Sequence, residues 1–293
     1  MKKALIVLAV VAILAGGVLA LGLARGWFSG ESEGGDRGVQ EPVSRPTTPK
    51  DKRQELVTME GRLRLESLAK ASPGDVSKAV GLWAGQEGIE REISWQVVRV
   101  GAGADQPRQT RLRACQLAVA LAGAKPEGQP RPLPSDPAAV EPLLKCLDSG
   151  DGAVASAAVS ALGVIHVHNP TLKVKDEVLP RARKLLGEGS AELALAGAAA
   201  ATAFGEASLA PEICAAWERH AKAEGFSEAC RLRLRTLLEL HLKAGLKKPG
   251  ERPAPEEIAN ARRAAMEKAS ELGTDIAKWK VYWAEALGEG KAP

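Results

Sequence analysis

The sequence predicts an all-α fold, an α-solenoid of antiparallel two-helix repeats preceded by an N-terminal transmembrane helix. The chain of 293 residues contains 51 alanines but only 3% aromatic residues, a composition that favours closely packed helices over a β-sandwich or barrel. Short glycine-containing phrases recur at steps near 40 residues, which is the period of two-helix repeat arrays. An uncharged run near the N-terminus has the length of a bilayer-spanning helix.

The N-terminal run covers residues 4–24, between Lys2-Lys3 and Arg25. A helix of about 20 apolar residues crosses a bilayer, whereas the apolar region of a signal peptide has about 7–15. We therefore predict a signal anchor over residues 1–28, as a single pass in the inner (plasma) membrane. The positive charges before the run place the N-terminus in the cytoplasm and the body of the protein outside it. Export after signal cleavage is the alternative, because Gly22-Leu23-Ala24 offers small residues at cleavage spacing.

Residues 29–54 are rich in Gly, Pro, Ser, Thr and charged side chains and lack apolar periodicity, which predicts a flexible linker. Residues 55–248 are predicted to form the helical repeats, of which 55–100 are an atypical leading cap. A proline-rich break follows, and residues 249–293 are predicted to form a C-terminal helical cap.

The internal repeat is marked by glycines at 123, 163, 205 and 245, each after an Ala-Leu-like phrase. The clearest unit spans 136–165. Asp136 is a candidate N-cap and Pro137 suits the first helical position. Two apolar helical faces follow, separated by the turn at 148–152, and residues 178–205 repeat the plan. The apolar positions of the first face are Val140, Leu143, Leu144 and Leu147, and those of the second include Val154, Ala158, Ala161, Leu162 and Ile165.

The stretch VEPLLKCLDSGDGAVASAAVSALGVI, residues 140–165, resembles a HEAT or HEAT-like repeat. It shares an early proline and a Leu-Leu pair in the first helix, an Asp-containing turn, and an Ala-rich second helix with Ala-Leu-Gly. The resemblance covers roughly residues 75–245 and implies an α-solenoid that serves binding or scaffolding. Where the family often has a Val-Arg pair, this chain has Val154-Ala155 and Glu192-Leu193, so an arginine ladder along the stack is not expected.

The C-terminal cap is predicted to contain a helix over 256–272, ended by Gly273, and a final helix capped by Thr274 or Asp275. Trp279, Tyr282 and Trp283 share one face of that final helix. They either seal the last repeat as an apolar cap or form an exposed anchor for a partner.

Two groups of arginines are further candidates for partner binding. Helical spacing places Arg231 and Arg235 on one face of a helix, and Arg108, Arg111 and Arg113 begin another. These side chains either cover the rim of the core or form a basic strip for an acidic partner.

Cys115, Cys146, Cys214 and Cys230 form no C-x-x-C motif. Counting the helical rise from their common loop places Cys115 and Cys146 at a similar height, so a disulfide and four buried free thiols both remain open.

Signatures of catalysis are missing from the sequence: there is no glycine-rich phosphate loop, no Gly-x-Ser-x-Gly elbow and no paired carboxylates. His166 and His168 lack further ligands at metal-binding spacing, so no cofactor and no metal are predicted. The near balance of 40 Lys+Arg against 36 Asp+Glu argues against a dedicated nucleic-acid binder. The sequence therefore favours a non-catalytic, envelope-tethered scaffold that binds another envelope protein. A HEAT-like lyase or enzyme accessory protein, and a basic surface for an anionic polymer, are the alternatives.

Overall fold

The computed structural model describes residues 49–125, 132–246 and 253–288, and all regular secondary structure within them is helical. This confirms the all-α prediction. The α-helices of this region are α1 (Pro49–Lys70), α2 (Pro73–Ala84), α3 (Gly88–Gly101), α4 (Arg108–Gly123), α5 (Val140–Leu147), α6 (Gly152–His168), α7 (Val174–Glu188), α8 (Ala191–Ala203), α9 (Ala210–Arg219), α10 (Phe226–Gly245), α11 (Pro255–Leu272) and α12 (Ile276–Ala286).

The predicted membrane helix at 4–24 and residues 29–48 of the predicted linker lie outside the described residues. Within the described ranges, no helix combines the length and apolarity needed to cross a bilayer. Helix α1 begins at Pro49, so residues 49–54, which the composition assigned to the linker, are helical.

Side-chain caps set several helix boundaries, including the two that the sequence predicted at Asp136 and at Thr274 or Asp275. An Asp136 carboxylate oxygen accepts a hydrogen bond from the Ala138 N–H at 2.9 Å, at the start of the short 3₁₀ turn that leads into α5. Asp151 accepts from two backbone N–H groups at the start of α6, and Asp275 does the same for α12. Helix α11 ends before Gly273, whose φ of 57° lies in the left-handed region that favours glycine.

The helices pack in two layers. In the first layer each helix contacts the next in the order α1, α3, α5, α7, α9 and α12. In the second layer the order of contacts is α2, α4, α6, α8, α10 and α11. Consecutive pairs from α3/α4 to α9/α10 pack across the layers as helical hairpins. The C-terminal hairpin has the reverse order. Its first helix, α11, packs on α10 in the second layer, and its second helix, α12, packs on α9 in the first layer.

Successive helices of the second layer approach closely because glycines lie between them. A Cβ added at Gly152 of α6 would lie 2.4 Å from the Glu192 Cβ of α8, and one at Gly163 would lie 3.1 Å from the Ala203 Cβ. Gly197 has the same role across the layers, since an added Cβ would lie 2.8 Å from the Ala182 carbonyl oxygen of α7. Any larger residue at these positions would push the helix axes apart.

One continuous apolar core runs through both layers from α1 to α12. It includes Leu144, Leu162, Leu186 and Phe204, which are all buried, as the two-faced helical pattern predicts. Neighbouring hairpins therefore bury each other's apolar faces, and this gives each two-helix hairpin a buried core that it could not form alone.

The glycines that marked the sequence period are not equivalent in the structure. Gly123 and Gly245 end their helices, Gly163 lies inside α6, and Gly205 follows α8. Helix α6 continues five residues beyond the Ala-Leu-Gly phrase, to His168. The second-layer helices α4, α6, α8 and α10 begin at 108, 152, 191 and 226, which gives steps of 44, 39 and 35 residues. The repeat spacing near 40 residues is thus an average over unequal helix-to-helix steps, and the glycines do not mark equivalent positions in the repeats.

Candidate binding surface

A series of ion pairs runs along the first layer. An ion pair joins each helix of this layer to the next helix or to the turn beside it. The pairs are Arg64–Glu90, Arg99–Asp136 (3.2 Å), Arg181–Asp148 (3.2 Å), Arg183–Glu212 (3.0 Å) and Lys280–Glu218 (2.6 Å). Each pair is partly exposed and contributes at most about 1 kcal/mol. Their repetition shows that ion pairs link the successive helices of this layer.

The second layer presents a different surface. Three of its adjacent helices, α4, α6 and α8, carry uncharged side chains at positions that keep solvent exposure and recur at helical spacing. We call this stripe the neutral surface; its residues are Leu112, Gln116, Val119, Ser156, Ser160, Val164, Val167, Leu195, Ala199 and Ala203. Val167 is 65% exposed, the highest value on the stripe among the large apolar residues. No charged side chain interrupts it, because the charged residues of α4 and α8 lie at their N-terminal ends and α6 has only His166 and His168.

Of the candidate arginines on α4, Arg113 is buried and donates hydrogen bonds to the backbone oxygens of Leu68 and Ala71, at the C-terminal end of α1. Arg108 is exposed and pairs with the Asp151 carboxylate. Hydrogen bonds from the Val154 N–H and the Arg108 guanidinium hold the pKa of Asp151 below its usual value. Arg108 and Arg113 of the first arginine group therefore make contacts within the chain, whereas Arg111 is half-buried and its Nε has no hydrogen-bond partner within the described residues.

The second arginine group lies on α10, beside the neutral surface. Arg231 pairs with Glu228 at 2.7 Å, whereas Arg235 is exposed and makes no hydrogen bond or ion pair within the described residues. Helices α6 and α8 separate α10 from α4, so about 24–30 Å lies between the two arginine groups at the usual interhelix spacing. They do not form one basic strip, which argues against a surface for an anionic polymer.

The C-terminal aromatics are mostly interior. Trp279 and Trp283 are fully buried, and the Trp279 indole N–H donates to the Gly273 carbonyl oxygen at 3.1 Å. The Trp283 ring meets His241 of α10 edge-on, with centroids 5.8 Å apart. Tyr282 is partly buried, and burial raises the pKa of its hydroxyl. These contacts support the interpretation that α12 seals the last hairpin, and they remove both tryptophans as exposed anchors.

The remaining metal-ligating residue types do not gather. Within the described residues, no three His, Cys, Asp or Glu side chains stand close enough to hold a metal ion. The His166 ring packs against Phe204 with centroids 5.1 Å apart, and desolvation lowers its pKa. His168 is exposed at the end of α6. All four cysteines are free thiols in buried positions.

Two features of this surface were not predicted from the sequence. The ion pairs of the first layer join residues 26 or more positions apart, for which a single sequence gives no signal. The neutral surface could have been found by comparing the outward positions of α6 and α7, since α6 contains no Lys, Arg, Asp or Glu and α7 contains several.

Comparison with known proteins adds no relative, since no protein-family model, curated protein or solved structure matches the chain. The functional assignment therefore depends on the surface itself.

Proposed function

We propose that the protein is a non-catalytic scaffold, an α-solenoid of HEAT-like repeats tethered to the inner membrane by residues 4–24. Its neutral surface binds one protein partner outside the cytoplasm. The contact order of the two layers and the hairpin pairing of α3 to α10 support the solenoid. The length and lack of charge of residues 4–24 support the tether.

The contrast between the two layers carries the proposal. Charges of the first layer pair along the stack, whereas the exposed stripe of α4, α6 and α8 is uncharged. Protein interfaces are depleted of charged residues at their centre and carry polar groups at their rim. Arg235 gives the rim on the α10 side an unpaired positive charge. We therefore expect a partner segment with an apolar or small-residue face and an acidic group at the α10 end.

The test places a photo-crosslinking amino acid at Ser160, in the middle of the neutral surface, in the full-length protein in its own cells. Lys184 of α7 is the matched control, because it is equally solvent-facing but belongs to the first layer. A single defined adduct from position 160 and none from position 184 is the expected result. An adduct from position 184 alone would reject the neutral surface as the binding face.

A substitution gives the same test without the crosslinker. Ser160→Arg should reduce partner recovery from the membrane fraction by about tenfold or more, since a buried unpaired charge costs at least about 1.4 kcal/mol. Ser160→Ala should leave recovery unchanged. The intact mass of the recovered protein also tests the tether, because an anchored chain retains residues 1–24.

A further inference from the structure

Two of the four cysteines lie side by side at the junction of three helices. Cys115 belongs to α4 and Cys146 to α5, and neither is more than 1% exposed. The Cys146 sulfur lies 3.3 Å from the Ala102 carbonyl oxygen, just after α3. The preceding residue, Gly101, lies against Ala114 of α4, since an added Cβ would be 3.0 Å from the Ala114 Cβ. The two thiols are thus buried at one junction, close enough to influence each other's ionisation.

A cation accompanies this pair. Arg111 lies one helical turn before Cys115, and its positive charge favours the thiolate form of both sulfurs. The Arg111 Nε is buried and has no hydrogen-bond partner within the described residues. The two thiols influence each other, so their ionisation beside Arg111 belongs to the pair, and either sulfur can be the first to attack.

The other two cysteines provide a contrast. Cys214 and Cys230 lie in α9 and α10, and burial raises the pKa of each thiol to about 12. They make no hydrogen bond to each other. A pair that stays protonated is a poor nucleophile in thiol–disulfide exchange.

We propose that Cys115 and Cys146 are a modification site at which an intramolecular disulfide joins α4 to α5. The oxidant is an external disulfide, either a small one such as oxidised glutathione or that of an oxidoreductase. The thiolate of one cysteine of the pair attacks one sulfur of the external disulfide, which forms a mixed disulfide and releases one thiolate. The thiolate of the other cysteine then attacks the cysteine sulfur of the mixed disulfide and releases the second.

The exchange is balanced within these groups. The two protons lost by Cys115 and Cys146 pass to the two departing thiolates, and the two electrons reduce the external disulfide to two thiols. Because both sulfurs are buried in the folded chain, the exchange takes place before α5 packs or when it opens; α5 has only eight residues, or about two turns. The link connects two successive hairpins across the layers. Formation of this disulfide requires an oxidising compartment and does not depend on the neutral surface.

The test counts thiols in full-length protein that is purified reduced, equilibrated with oxidised and reduced glutathione, and then denatured and alkylated. We expect two of the four thiols to be protected. Trypsin does not cleave the Lys125-Pro126 and Arg131-Pro132 bonds, and its other cleavages separate all four cysteines, with Cys115 in the peptide 114–145 and Cys146 in the peptide 146–173. A crosslink between these two peptides, lighter by two hydrogen atoms than their sum, is the expected product. Four alkylated thiols, or a crosslink that includes Cys214 or Cys230, would overturn the proposal.

Two variants sharpen the result. Cys214→Ala/Cys230→Ala should form the same crosslink at the same rate, whereas wild-type behaviour of Cys146→Ser would contradict the assignment. Arg111→Gln should form the same crosslink more slowly, because it removes the charge that favours the thiolates. An unchanged rate would remove Arg111 from the exchange step.

Discussion

Replacing Arg113 with methionine tests whether this candidate site residue is in fact part of the core. Arg113 is only 7% exposed, and its guanidinium donates to the Leu68 and Ala71 carbonyl oxygens, with 2.9 Å for the second bond. Those oxygens end α1, where the helix dipole also favours a cation. Methionine keeps the aliphatic stem and removes both hydrogen bonds, so the change isolates the polar contribution.

The expected loss of stability follows from these two bonds. A hydrogen bond to a charged group contributes about 1.5–3 kcal/mol, and part of this is offset because the variant no longer desolvates a guanidinium. We therefore expect Arg113→Met to lower the free energy of unfolding by about 2–4 kcal/mol. For a folded region of this size, the midpoint of thermal unfolding falls by about 2–4 °C per kcal/mol.

The matched control is Arg235→Met, which removes an exposed arginine without a hydrogen bond or ion pair in the described region. It should change stability by less than about 0.5 kcal/mol. Thermal and denaturant unfolding of the full-length variants, followed by far-ultraviolet circular dichroism, measures both. Equal stability of the two variants would show that Arg113 does not tie α4 to the end of α1.

Two further predictions concern packing and pH. Gly197→Ala should destabilise the protein by about 1–2 kcal/mol, because the new Cβ meets the Ala182 carbonyl oxygen of α7. Gly187→Ala is the control, because open space surrounds the new methyl group, and it should be neutral or slightly stabilising. A destabilised Gly187→Ala together with an unaffected Gly197→Ala would contradict the close approach of α7 and α8 at Gly197. Desolvation lowers the pKa of His166 in the folded state. The neutral side chain therefore contributes to the free energy of unfolding at pH values above the pKa of the unfolded state, and this contribution is lost as the pH falls through the pKa of the folded state. His166→Gln should therefore lose less stability than the wild type between about pH 7.5 and about pH 5, and parallel profiles would refute this.

The hairpin of α5 and α6 shows what the sequence could predict. Asp136 and Asp151 cap their helices through their own side chains, and the apolar positions between them recur at helical spacing. Both signals are local, so one sequence is enough to read them. The burial of Leu144 and Leu162 follows from the same pattern.

The arginines show what the sequence could not predict. Arg113 and Arg235 both stand on amphipathic helices next to leucines, yet one is buried and the other is exposed. The difference lies in α1, whose carbonyl oxygens approach Arg113 from 42 and 45 positions away. No local pattern encodes such a contact. For the same reason the sequence did not predict the layer order of α11 and α12. That order depends on the packing of α11 against α10 and of α12 against α9, which are contacts between helices.

The two layers hold successive hairpins together by different chemistry, and this difference bears on the neutral surface. Long charged side chains bridge every pair of successive helices in the first layer, whereas the second layer has the Arg108–Asp151 pair between α4 and the start of α6 and relies on glycine and alanine for the close approach of α6 and α8. Close approach accounts for Gly152 and Gly163, which lie between α6 and α8. It does not account for Ser160 and Val167, which are exposed to solvent and free to be charged without disturbing any helix contact. Packing leaves these two outward positions unconstrained, and the proposed contact with a partner protein would account for their lack of charge.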